Sequence, residues 1–423
     1  MRILKPGSKG SDVMEIQALL KKMGYNPGTI DGIYGPKTTM AVKQFQSRFG
    51  LFPTGIIEQN TYKILEKYLL GYDIYVIQKG DNLYDIANKY GTSLQSILTA
   101  NPDVDPYNLQ LGQEIAVPYS YDIVDTNIDY TYEIMERDIK GLKVKYPFID
   151  IGVAGNSVLG KKLYYLKLGR GPNKVFYNAS HHSLEWITSV VLMKFIENYA
   201  KAYVQNRKLR GYNIREVFNN SSIYIVPMVN PDGIELVLDG LKRNNPYYKD
   251  LIKWNNGSTD FSKNWQANTR GVDLNHNYNA SWQESKDAEK EYGVYGPGPT
   301  RYSGTFPESE PETKAVVNFT KNNDFRLVLA YHSQGRVIYW NYKNMAPPEA
   351  KVIGEKFADV SGYTLSQTYG IASYAGYKDW FIKDYRRPGY TIEVGLGKNP
   401  LPISQFDTIY NNNEELLILA SQV

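Results

Sequence analysis

Apolar positions recur at helical spacing through the first seventy residues. In SDVMEIQALLKKMG, Val13, Ile16, Leu19 and Leu20 fall on one helical face, with Ser11 and Asp12 as N-cap candidates and Gly24 as the stop. PKTTMAVKQFQSRFG predicts a second helix, with Pro36 near its first turn and Met40, Ala41, Val42, Phe45 and Phe49 as its apolar positions. IEQNTYKILEKYL predicts a third, so residues 1–70 read as a small three-helix domain. The pattern then changes. Over residues 73–118 the β-rich stretches IYVIQ and EIAVP bracket two short amphipathic helices, NLYDIANKYG and SLQSILTANP, giving a βααβ unit. After a short linker near PYSYDIVDTNIDYTY, residues 123–423 alternate strand-like runs (KLYYLKLG, KVFYNAS, SSIYIVPMV, FRLVLAYHS, RVIYWNY, GYTIEVG) with helical ones such as EWITSVVLMKFIENYAKAYV and SEPETKAVVNFTKNN. That alternation predicts an α/β/α sandwich around a mixed sheet, with functional residues where strands end.

Composition narrows the function classes. A chain of 423 residues is long enough for two or three domains, and 42% hydrophobic with 13% aromatic residues supports real cores. A net charge of +4 is too balanced to argue for nucleic acid. The absence of Cys excludes disulfides, thiolate zinc sites and Cys nucleophiles, and leaves the compartment open. Tyr stands out at 37; tyrosine surfaces suit carbohydrate or peptide binding, and purely structural tyrosine is the equal alternative. No apolar run is long enough to span a membrane. The start, MRILKPGSKGSDV, lacks the apolar core of a signal peptide. Any export would therefore be non-standard or follow cell lysis.

Two of the chain's 4 histidines are adjacent, in YNASHHSLEWIT. His182 and Glu185 have an H-x-x-E spacing that places them on one side of a turn entering a helix. The pair alone is a weak signal. His332, at the end of FRLVLAYHS, supplies a distant third ligand, and two nitrogens with one carboxylate plus an open position form the pattern of a catalytic zinc.

Three resemblances follow from quoted motifs. The DGIYGPKT…AVKQFQ core of residues 1–70 resembles the peptidoglycan-binding domain of bacterial wall hydrolases. YVIQKGDNLYDIA and LQLGQEIAVP look like a LysM domain, which implies binding to N-acetylglucosamine-containing glycans through backbone groups of its loops. HHSLEWIT, NPDG, RGVDLNHNY, YHSQG and GYTIEVG occur in the order of the zinc carboxypeptidase family, and look nearest to its bacterial γ-D-glutamyl-diamino acid endopeptidase branch.

The last resemblance implies one Zn²⁺ held by His182, Glu185 and His332, Glu393 as the catalytic carboxylate, Asp273 as the group orienting the first ligand histidine, and Asn275 as a substrate contact. Arg270 is the expected oxyanion partner, with Gln266 the alternative at that position. The departures matter as much. Where the carboxypeptidases read DxNRN and clamp a free C-terminal carboxylate with arginine, this chain has His276, a poor clamp at neutral pH. Leu184 likewise stands where many of them have arginine. Lys378, before the Asp379–Trp380 pair, is expected to suit an acidic group on the substrate, and the substrate-capping tyrosine aligns near Ile371, with Tyr369 or Tyr374 as replacements. Together these imply hydrolysis of the γ-D-glutamyl–diamino acid bond of peptidoglycan stem peptides, with a role in sporulation, lysis or recycling left open. The alternatives are a carboxypeptidase acting on wall peptides and a non-catalytic wall-binding protein.

Overall fold

The computed structural model describes residues 2–423, which pack as two compact units, one ending at Ile149 and the other spanning Asp150–Val423. In the first, helices α1 (Ser11–Lys22), α2 (Pro36–Arg48) and α3 (Gln59–Leu70) close around Leu4, Val13, Ile16, Leu20, Phe45, Ile57 and Leu65. The apolar spacing is as expected apart from Met40, which is exposed. Gly10 takes the N-cap position of α1, so Ser11 and Asp12 are the first two residues of the helix itself. Asp12 is held by Arg2 rather than used as a cap. The βααβ unit follows: strand β1 (Tyr72–Val76), helices α4 (Leu83–Tyr90) and α5 (Leu94–Ala100), and strand β2 (Glu114–Pro118) antiparallel to β1. Asn82 and Ser93 cap the two helices through their side chains, and Gly91 ends α4 in the left-handed conformation that the sequence anticipates. Helix α6 (Tyr132–Lys145), capped by Thr131, completes this unit.

The second unit is built on an eight-stranded mixed sheet. Its strands are β3 (Asp150–Asn156), β4 (Lys162–Leu168), β5 (Asn173–Ala179), β8 (Ser221–Val226), β9 (Leu327–Ser333), β10 (Val337–Tyr339), β11 (Thr364–Ser366) and β12 (Gly389–Val394), while β6 (Lys208–Leu209) and β7 (Tyr212–Asn213) form a small separate pair. The order is β11-β10-β12-β9-β5-β8-β4-β3, with β12, β9, β5 and β8 mutually parallel. Every residue of β9 is buried. A central parallel strand has both faces covered, so its apolar run is continuous rather than alternating. Helix α7 (Ile187–Val204) is apolar on most of its circumference for the same reason. Several tyrosines here are structural: Tyr177, Tyr199, Tyr278, Tyr331, Tyr377 and Tyr390 are fully buried.

The sequence pattern misses β3 and β11. Asp150–Asn156 is glycine-rich, lies at the sheet edge and breaks register between Val153 and Gly155, and Thr364–Ser366 is only three residues long. Neither carries an apolar period of its own.

Candidate metal centre

Three neighbouring parallel strands deliver the site. Register pairs Ala179 of β5 with Tyr331 of β9, and His332 of β9 with Glu393 of β12. The carboxyl ends of β5, β9 and β12 therefore open onto one crevice, the place where ligands bind in open α/β sheets.

The turn leaving β5 is locked from below. Ser180 adopts a left-handed backbone (φ 56), and its buried hydroxyl meets those of Thr188 (2.9 Å) and Ser189 (2.8 Å). Asn230, of the NPDG motif, accepts from Gly233 N–H (3.0 Å) and so caps the helix Pro231–Leu238. Its amide donates to the carbonyls of His181 (3.0 Å) and Ala267 (3.1 Å). Ser183 donates to the Trp265 carbonyl (2.6 Å). The result is a short 3-10 turn, Ser183–Glu185, that brings His182 and Glu185 together.

Their nitrogens and oxygens converge. His182 Nδ1 lies 3.0 Å from Glu185 Oε1, and His332 Nδ1 lies 2.9 Å from Glu185 Oε2. One ligand atom from each residue lies within 4.8 Å of the others, the only such grouping among the described residues. His182 Nε2 faces Asp273 Oδ1 at 3.0 Å. A proton on that nitrogen leaves the Nδ1 lone pair directed at a carboxylate oxygen, an arrangement that calls for a cation between them. Two imidazole nitrogens and one carboxylate are the donor set of zinc, so these residues fit the metal. Burial opposes charge on His182, and the Glu185 and Asp273 carboxylates outweigh it, holding the imidazole well above its ordinary pKa. Burial would likewise raise Glu185, but the two histidines bring it below the usual carboxylate range.

Asp273 is fully engaged. It accepts from His182, from the backbone N–H of Asn275 (3.2 Å) and Arg301 (2.9 Å), and from the Thr300 hydroxyl (3.4 Å). Its own loop is anchored by Asn268, whose Oδ1 accepts from the N–H of Arg270 and Val272 and whose amide donates to Glu310 (2.8 Å) and Glu312 (3.3 Å). Asp273→Asn is expected to weaken zinc binding by about 10–100-fold, because the substituted amide can no longer hold His182 in the required tautomer. Competition with a chromogenic chelator measures this.

Glu312 gives a second expectation. Burial raises its carboxyl from an ordinary 4.5 to about 8. A folded pKa above the unfolded one favours the protonated native state. Its stabilising contribution is complete below about pH 4.5 and is lost as pH rises through 8, at up to roughly 1.4 kcal/mol per unit. The stability advantage of wild type over Glu312→Gln should therefore shrink steadily from pH 5 to pH 8 in thermal melts; a pH-independent difference would refute it.

The remaining residues of interest scatter. His181 is fully buried, its Nε2 2.8 Å from the Tyr278 hydroxyl, and burial keeps its imidazole neutral. Glu393 and Leu184 line an open cavity of about 500 Å³, with Gln266, Thr300, Arg301 and Asn399. Burial first, and the Glu185 charge second, push the Glu393 carboxyl well above its ordinary pKa. His276 sits 3.2 Å from the Ser285 hydroxyl, and burial, only partly offset by Asp273, lowers its pKa, so it is neutral. The Asn275 side chain accepts from Tyr377 N–H (3.1 Å).

Neither Asn275 nor His276 is among the residues lining the cavity, and Arg270 and Lys378 are held away from it. Arg270 donates to the Tyr247 hydroxyl (3.1 Å) and stands 3.8 Å from Glu310; Gln266, the alternative at that position, is the one that lines the cavity. Lys378 is buried, donating to the Asn341 carbonyl (2.7 Å) and paired with Asp379. Ile371 is buried while Tyr369 is exposed. Asn399 is an addition: its amide donates to the Ser333 carbonyl (2.7 Å) and lies 3.4 Å from Glu185 Oε1. In the sequence it reads only as an Asn-Pro turn.

Comparison with known proteins agrees with this geometry. Residues 135–416 match the zinc carboxypeptidase family, residues 9–65 a peptidoglycan binding domain and residues 75–118 a LysM domain. The chain is 43% identical to a gamma-D-glutamyl-L-diamino acid endopeptidase of Lysinibacillus sphaericus over 79% of this chain and 96% of that one. It is 35% identical to an uncharacterized protein of Bacillus subtilis, YqgT, over 79% and 86%. The crystal structure of thrombin activatable fibrinolysis inhibitor shares the fold (TM-score 0.54, 17% identity, covering 86% of this chain and 96% of that one). With its three metal ligands converging at the strand ends and a family match running through all of them, this chain belongs to the zinc carboxypeptidase family, as a zinc metallopeptidase that carries peptidoglycan-binding and LysM modules.

Proposed function

We propose that the protein hydrolyses the amide between γ-D-glutamate and the diamino acid of peptidoglycan stem peptides, and that its two N-terminal modules hold it on the glycan strands. The substrate follows the name of the Lysinibacillus relative. One observation carries the choice of this internal, side-chain-linked amide over a C-terminal one. His276, at the arginine position of the carboxypeptidase motif, is a neutral imidazole bonded to Ser285 and offers no charge to a terminal carboxylate. Tethering by the wall-binding modules raises the local substrate concentration, so modest affinity in each suffices.

Zinc held by His182, Glu185 and His332 would acidify a water molecule and polarise the amide carbonyl. Glu393, on the cavity wall beside His332, accepts the water proton on a carboxylate oxygen and passes it to the leaving amine. Its raised pKa suits both halves of that transfer. Asp273 keeps His182 in its ligating tautomer, and Asn399 donates to Oε1 of Glu185, the oxygen that faces His182.

Mass spectrometry of products from a defined muropeptide tests the reading. Cleavage between γ-D-glutamate and the diamino acid of a tetrapeptide stem, undiminished when the residue after the diamino acid is amidated at its C-terminus, is the expected result. Loss of cleavage on amidation would identify a carboxypeptidase, and no hydrolysis by zinc-loaded protein would leave a wall-binding protein.

A further inference from the structure

The charged residues lining the active-site cavity are Lys263, Arg301, Lys398 and Glu393. Three cations face one carboxylate. The cavity thus favours an anionic ligand before any metal charge is added. The three cations are not equivalent. All three side chains are exposed, those of Lys263 and Lys398 on flexible stems. Arg301 is tied to the site through its backbone and its ring contact. Its backbone N–H donates to Asp273 Oδ2 at 2.9 Å, on the carboxylate that also holds His182. Its backbone is left-handed (φ 63), a conformation uncommon outside glycine and retained where the surroundings impose it. Its guanidinium lies over the Tyr292 ring, 5.0 Å from the centroid, which orients a planar fork and lowers the entropy lost on binding. Among the described residues that guanidinium makes no hydrogen bond or ion pair with protein. An oriented guanidinium on the cavity wall, close to the Asp273 that holds His182, presents the planar fork that pairs bidentately with a carboxylate.

We propose that Arg301 is the specificity-determining residue of this enzyme and binds a free substrate carboxylate flanking the scissile amide. This rests on the γ-D-glutamyl reading, which places two such groups within reach: the α-carboxylate of D-glutamate and a carboxylate of the diamino acid. The geometry also assigns to Arg301 the acidic-group recognition expected of Lys378, which Asp379 already occupies.

Steady-state kinetics on four substrates test it: the free dicarboxylate, the D-glutamate α-carboxamide, the diamino acid carboxamide and the double amide. Zinc-loaded wild type is compared with Arg301→Asn, which tolerates the left-handed backbone, and with Arg301→Lys, zinc content being measured for each. Wild type should lose about 10–100-fold in kcat/KM, mainly through KM, on amidation of the recognised carboxylate. Arg301→Asn should lose the same factor on the free substrate and show no further loss on that amide, while Arg301→Lys recovers only part. The arm on which discrimination disappears identifies the carboxylate. Equal kcat/KM of wild type on all four substrates, or discrimination undiminished in Arg301→Asn, overturns the proposal. If wild type cleaves none of the four, the γ-D-glutamyl reading itself has failed.

Discussion

Glu393→Gln is expected to bind zinc like wild type and to lose hydrolysis by about 10²–10⁴-fold, the usual worth of a positioned general acid–base group. The carboxylate is the only acidic side chain lining the cavity outside the ligand set, and strand register places it beside His332. Glutamine keeps the shape and removes the proton acceptor. It also removes a carboxyl whose raised pKa comes from burial and from repulsion by Glu185. The variant should therefore be no less stable than wild type, and the split between intact zinc content and lost turnover separates chemistry from folding. Turnover within a few-fold of wild type would remove Glu393 from the mechanism.

His182→Ala and His332→Ala are each expected to lose stoichiometric zinc and all activity, because either change leaves two ligands on a site that needs three. His181→Ala is the control. Its ring sits 5.5 Å from that of His332, so it is close enough to be mistaken for a ligand. Yet its Nε2 is committed to Tyr278, and the buried ring carries no carboxylate partner. The variant should retain zinc and lose about 1–3 kcal/mol of stability, from an orphaned Tyr278 hydroxyl. Metal analysis after dialysis reads the outcome. Zinc lost from His181→Ala but kept by His182→Ala would move the ligand register by one residue.

Pattern and motif carried most of this molecule. The helical spacing of Val13, Ile16 and Leu20, the βααβ run of residues 73–118 and the apolar strands ending at Ala179, His332 and Glu393 are local signals. Each burial face is encoded within a few residues of itself. The zinc ligands were legible for a related reason: a short-spaced pair and a histidine at a strand end are forced together once the strands are adjacent. Edge strands such as Thr364–Ser366 were not legible, since pairing with Val337–Tyr339 rather than their own sequence makes them strands.

Side-chain direction in loops was decided only by tertiary structure. Arg270 and Arg301 are both arginines on the loops around Asp273, and nothing in their neighbours says which one faces substrate. The hydroxyl of Tyr247 and the carboxylate of Glu310 draw Arg270 to one side, while the ring of Tyr292 and the Asp273 carboxylate fix Arg301 on the cavity. Lys378 is settled in the same way by Asp379 and a distant carbonyl at Asn341. The sequence by itself determined the fold, the modules and the metal set, because those depend on residue type at short spacing. The tertiary structure decided which charges remain free to meet a ligand, because a buried or surface cation goes to whichever carboxylate, carbonyl or ring long-range packing brings within reach.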